Sequence, residues 1–129
     1  MKNNKASGEE TNTGGHLNWV VLAGEVRATP QQKVLPSGDH LMSFDLRVPS
    51  SEGPRQSIPV SWIGKATKVP RIEGGADVVV IGEIRRRFYR GASGLASRID
   101  VRASRVVAGG QAQRRRALEA QSRRFPRAA

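Results

Sequence analysis

The densest run of chemically useful side chains is Ile84-Arg85-Arg86-Arg87-Phe88-Tyr89-Arg90. On an extended chain successive side chains point to opposite faces, so Arg85, Arg87 and Tyr89 share one. A row of cations beside an aromatic ring suits a single nucleic-acid strand. Phosphates lie along the guanidinium groups, and bases stack on the ring at ~1–3 kcal/mol each. A solvated basic hairpin with Phe88 in a core is the plainer reading of the same residues. Trp62, in Pro59-Val60-Ser61-Trp62-Ile63, is a second candidate platform. Trp19 and Val21 share a parity on another apolar run. If Val20, Leu22 and Val26 point inward, this pair points outward, as a subunit interface or a stacking surface would.

Other chemistry finds little to work with. His16 and His40 stand far apart in sequence, and neither has the spacing of a metal site or a triad. Asp39, Asp45 and Asp100 form no paired-carboxylate pattern. No glycine-rich phosphate loop is present, and with no cysteine there is no disulfide, thiol nucleophile or cysteine-held zinc. The expectation is a binding protein, not an enzyme, with no cofactor and no metal.

The chain of 129 residues carries 22 Lys and Arg against 11 Asp and Glu, a net charge of +11. That excess favours polyanionic partners. The longest apolar run, Val78 to Ile81, is too short for a bilayer, and residues 1–15 lack the apolar stretch of a secretory signal. No membrane association and a cytoplasmic, nucleoid-associated location are expected.

The elements that must carry these residues are mostly extended. Leu17 to Val26 is apolar and broken by Gly24. In Asp39 to Val48, Met42, Phe44, Leu46 and Val48 alternate with polar residues, the period of a half-buried strand, which places Phe44 in the core. Gln56 to Ile63, Asp77 to Tyr89 and Leu95 to Val107 complete five strands. Only Gly64 to Arg71 leaves room for a helix, kept short by Pro70. Residues 1–16, rich in Asn, Gly, Lys and Glu, and residues 109–129, with six Arg and one large aliphatic residue, read as a disordered arm and a basic, largely disordered tail. Between them, residues 17–108 are expected to form an all-β, five-stranded Greek-key barrel with one short helix between strands three and four, the form of the oligonucleotide-binding (OB) fold.

Asn18…Leu22…Gly24…Val26…Pro30, then Ser37-Gly38 and Phe44-Asp45-Leu46, resemble the opening of bacterial single-stranded DNA-binding proteins. Val60-Ser61-Trp62 with Gly64-Lys65 is similar to the third strand of that family. Gly74-Gly75-Ala76-Asp77-Val78, Gly82-Glu83-Ile84, Tyr89 and the closing Asp100-Val101-Arg102-Ala103-Ser104-Arg105-Val106 resemble its later strands. The resemblance covers roughly residues 17–107. It implies an OB fold, a homo-oligomer (usually a tetramer, otherwise a dimer) paired through the first strand at Trp19 and Val21, and sequence-tolerant wrapping of single-stranded DNA during replication, repair or recombination. It also implies base stacking at Trp62 or its neighbour and at Tyr89.

Two departures stand out. Pro49 to Pro54 holds no aromatic residue, and the C-terminus is basic where the family has an acidic tip that recruits other proteins. A specialised paralogue without that recruitment is the expected reading. The DNA contacts expected are Trp62, Tyr89 and Phe88 with Arg85, Arg87 and Arg90, and secondarily Lys65, Arg47 and Arg98. The basic tail would add phosphate contacts. An OB-fold RNA-binding protein and an oligomeric protein-binding adaptor are the alternative readings.

Overall fold

The computed structural model describes residues 15–124, so most of the expected arm at 1–16 and the last five residues of the expected tail lie outside the described residues. Six strands run in chain order: β1 (Val20–Val26), β2 (Gln31–Val34), β3 (His40–Val48), β4 (Gln56–Gly64), β5 (Asp77–Gly91) and β6 (Gly94–Val107). One helix follows, α1 (Gln111–Arg124). The sheet order is β1-β5-β6-β4-β3-β2, and β1 also pairs with β3 through Glu25 with Arg47 and Val26 with Leu46, which closes the sheet into a ring.

The alternation read in the sequence builds the inside of this ring. Met42, Phe44, Leu46 and Val48 of β3 are buried with Val26, Val60, Trp62, Val78, Val80, Val101 and Ala103. Each fully buried large aliphatic side chain contributes about 1.5–3 kcal/mol relative to exposure. All strand pairs are antiparallel except β4 with β6, where Val60, Ser61 and Trp62 run parallel to Val101, Arg102 and Ala103. Near the other end of β6 the register shifts. Ile81 faces Arg105 but Gly82 faces Ala103, so Ser104 is an extra, unpaired residue, and its hydroxyl donates to the Ile81 carbonyl at 3.1 Å.

Three expectations are corrected. The first concerns β2, which no alternation announced, because all four of its residues are exposed. Its register with β3 comes from the turn at Leu35 to Asp39, where Gly38 supplies a φ of +94° and the Leu35 amide donates to the Asp39 carbonyl at 2.8 Å.

The second is the expected helix between the third and fourth long strands, which is a single 3-10 turn, Ala66–Lys68. Lys65 offers no side-chain cap, and Pro70 drives Val69 out of helical backbone.

The third is the C-terminal segment, expected to be largely disordered, which is helical over 111–124. Leu118 does not anchor it. Ala117 does, packing with Val79, Ile81 and Val107 in a second cluster that Trp19 and Val21 join. Gln121, one turn on, is buried beside it, and Arg114 reaches Asp77 at 3.9 Å. Arg123 and Arg124 sit in the last turn, where the helix dipole favours cations.

Candidate nucleic-acid interface

Beyond Ile84 and Val101 the β5–β6 pair leaves the ring and runs on as a two-stranded arm to its tip at Gly91 and Gly94. Residues directly opposed in an antiparallel ladder point to the same side. Arg85 faces Asp100, Arg87 faces Arg98 and Tyr89 faces Ala96, so these six side chains share the outer face. Tyr89 is half-exposed there.

This face continues onto the ring. Arg102, two residues along β6 from Asp100, donates from Nε to the Ser61 hydroxyl at 3.1 Å. Asp100 is buried at 2%, and its Oδ2 accepts from Arg87 at 3.1 Å. Burial first, and then the neighbouring Arg85, pulls the Arg102 guanidinium below its ordinary pKa, while Asp100 opposes the shift. Two carboxylates serve these cations: Asp100 holds Arg87, and Glu83 lies 3.3 Å from Arg85.

A groove of about 440 Å³ opens along the same side, lined among others by Arg27, Arg47, Ser61, Arg87, Arg98 and Asp100. Its volume lies within the roughly 300–1,000 Å³ of small-ligand clefts, enough for a nucleoside. Arg27 stands 4.0 Å from Asp45, an exposed pair that contributes little to stability. Among the described residues no carboxylate lies within 4.0 Å of Arg47, Arg90 or Arg98.

The expected contact residues therefore separate. Arg85, Arg87, Tyr89, Arg98 and Arg47 share the outer face or its groove. Arg90 and Phe88 do not: Arg90 faces Leu95 and Phe88 faces Ser97, on the reverse of the arm. Phe88 is 65% exposed, so the reading of it as core is also set aside. Lys65 is exposed just after β4, next to the 3-10 turn and outside the groove lining.

Trp62 is the main correction. It is 7% exposed, lies in the core with Met42 opposite it, and packs over Gly64, where an added Cβ would lie 2.7 Å from the indole. Its parity matches Val60, and both point inward. It offers no stacking face. Trp19 and Val21 lie on the outer face of β1, as expected, but the cluster they join includes Ala117 of α1, so the chain's own helix partly covers that face.

The sequence reading missed Arg27, Ser61 and Arg102. The parity of Arg98, Asp100 and Arg102 was available in the sequence. The parallel β4–β6 pairing that brings Ser61 to Arg102 was not. His16 is exposed and His40 half-buried. Among the described residues no three His, Asp or Glu side chains lie together as a metal site would require, and no helix is long and apolar enough to cross a membrane.

Solved structures with the same arrangement define the class as the OB fold. A Plasmodium falciparum SSB in complex with ssDNA superposes with a TM-score of 0.62 at 18% identity, covering 73% of this chain and 96% of that one. The dimeric N-terminal domain of PriB from Thermoanaerobacter tencongensis gives a TM-score of 0.56 at 20% identity, covering 73% and 98%. No protein-family model matches the chain, and no curated protein sequence matches it.

Proposed function

We propose that this protein binds single-stranded DNA with little sequence preference. The observation that carries the reading is the outer face of the arm, where Arg87 and Arg98 lead from Tyr89 to an arginine-lined groove on an OB fold. A fold neighbour described as a complex with ssDNA supports it.

The groups divide the work. Arg85, Arg87, Arg98, Arg47 and Arg102 take up phosphates and release their counterions. Tyr89 stacks on a base, and any base suffices because each has a π face. Duplex DNA keeps its base faces paired and stacked, so only the charge contribution remains there. With one aromatic platform instead of several, arginine carries most of the affinity. Coating of exposed strands in replication, repair or recombination follows from such tolerance. A homo-oligomer joined through β1 would place Trp19 and Val21 at its seam, with α1 as part of that seam.

The test is fluorescence anisotropy with labelled oligo-dT and a duplex of equal length at several salt concentrations, with solution mass measured alongside. The single strand is expected to bind more tightly, with a ratio that persists at high salt as total affinity falls. Equal affinity for the two at every salt concentration overturns the reading.

A further inference from the structure

The reverse of the arm carries a different surface. Ile84 faces Val101, Arg86 faces Ile99, Phe88 faces Ser97 and Arg90 faces Leu95, so these residues share one side. Val101 is in the core, so this side is the inner face of the ring continued past its end, where nothing of the described chain covers it. Ile84 is 48% exposed, Phe88 65%, Leu95 74% and Ile99 49%. A grouped apolar surface of this kind marks an interaction site.

An open strand edge runs beside it. The pairing of β1 with β5 stops at Val20 and Gly82. Past that point the Asn18 side chain stands in for the next strand residue: its Nδ2 donates to the Ile84 carbonyl at 2.9 Å, and its Oδ1 accepts from the Ile84 amide at 2.8 Å. The Ile84 main chain thus turns away from β6. By the alternation of an antiparallel ladder, the amides and carbonyls of Arg86, Phe88 and Arg90 turn the same way. Among the described residues they have no strand partner, and they form a row of donors and acceptors at the edge of β5, a template for one more strand.

Charge selects the occupant. From Ile84 to Ile99 the arm holds five Arg and no acidic residue; Glu83 and Asp100 at its base pair with Arg85 and Arg87, which leaves the arm net positive. A second copy would bring five more Arg against these. Nucleic acid has no donor–acceptor row to match a strand edge, and Phe88 is the single flat face there, set among Ile84, Leu95 and Ile99. We infer that the free edge of β5 and the Ile84–Phe88–Leu95–Ile99 face dock an extended segment of a partner protein in which apolar and acidic side chains alternate. The added strand pairs with Arg86, Phe88 and Arg90. Its apolar side chains lie over Phe88 and Ile84, and its carboxylates meet Arg85 and Arg87. The docked strand shares Arg85 and Arg87 with the Tyr89 face, but its apolar contacts lie on the opposite side of the arm, so substitutions there test it apart from DNA binding.

The probe is a short fluorescent peptide of alternating glutamate and valine, titrated onto the full chain. The same peptide N-methylated at alternate backbone nitrogens and a polyglutamate of equal length are the controls. The Glu-Val peptide is expected to bind, and both controls to bind at least about tenfold more weakly. The variant Phe88→Ser with Ile99→Ser, two exposed positions, is expected to lose the peptide to a similar degree while keeping its melting temperature and its oligo-dT affinity. Absence of peptide binding, or polyglutamate binding equally well, overturns the inference. So does a drop in oligo-dT affinity in the double variant matching that of Tyr89→Ala, which assigns the face to nucleic acid. A fall in solution mass in the same variant overturns it too, in favour of a second copy.

Discussion

Arg87 reaches diagonally across the β5–β6 ladder to Asp100 at 3.1 Å, while the residues directly opposite them are Arg98 and Arg85. One buried carboxylate therefore sits among at least four arginines, Arg102 included. It limits their mutual repulsion and fixes the direction of Arg87.

Replacing Asp100 by Asn is expected to lower folding stability by about 1.5–3 kcal/mol, the scale of a lost charge-assisted hydrogen bond. The loss should be larger at low salt, because mobile ions screen the uncompensated arginines. Urea unfolding of Asp100→Asn at low and high salt checks this, and a loss independent of salt would contradict the repulsion argument.

Stacking and charge separate in their response to salt. Tyr89→Ala is expected to weaken oligo-dT binding by about 1–3 kcal/mol with the salt slope unchanged. Arg85→Ala with Arg87→Ala should flatten the slope of log affinity against log salt by up to about 1.4, at ~0.7 per phosphate contact on a single strand. Trp62→Ala should act on folding instead, at about 3–5 kcal/mol, because it empties a packed core position. Anisotropy titrations and urea unfolding on the same proteins distinguish the three, and equal slopes in every variant would remove the assigned roles.

The C-terminal helix has two expected effects. Ending the chain at Gly110 uncovers Val79, Ile81 and Val107, so the truncated protein should be less stable by about 2 kcal/mol, the scale of one large apolar side chain. It also removes six Arg and one Glu, so affinity for single and double strands should fall together at low salt. Thermal unfolding and anisotropy measure the two effects. A truncation that changes neither would show the helix to be dispensable.

The sequence disclosed most where packing obeys a short period. In β3, Met42, Phe44, Leu46 and Val48 announced both the strand and its buried face, and in β5 the parity of Arg85, Arg87 and Tyr89 was readable. Trp62 was misread because its residue type drew more attention than its parity with Val60. Two features were hidden for physical reasons. The exposed β2 has no apolar side chains facing a core, only main-chain pairing with β3. In α1, Ala117 and Gln121 gain their value from a surface assembled by β1, β5 and β6, far away in sequence. The cluster of Ser61, Arg102 and Asp100 likewise depends on a parallel pairing across some forty residues.

The extra residue in β6 sets the phase of everything before it. With Ser104 present, Val101 and Ala103 look into the core while Asp100 and Arg102 look out. Excising Ser104 would rotate that half of the strand by one step, turning Asp100 and Arg102 into the apolar core and presenting two core aliphatics to the outer face. Replacing the serine with another small residue should be mild; losing a single codon there should leave a chain with no cooperative melting transition in circular dichroism. The polarity of the outer wall is therefore encoded in a length, not in a composition.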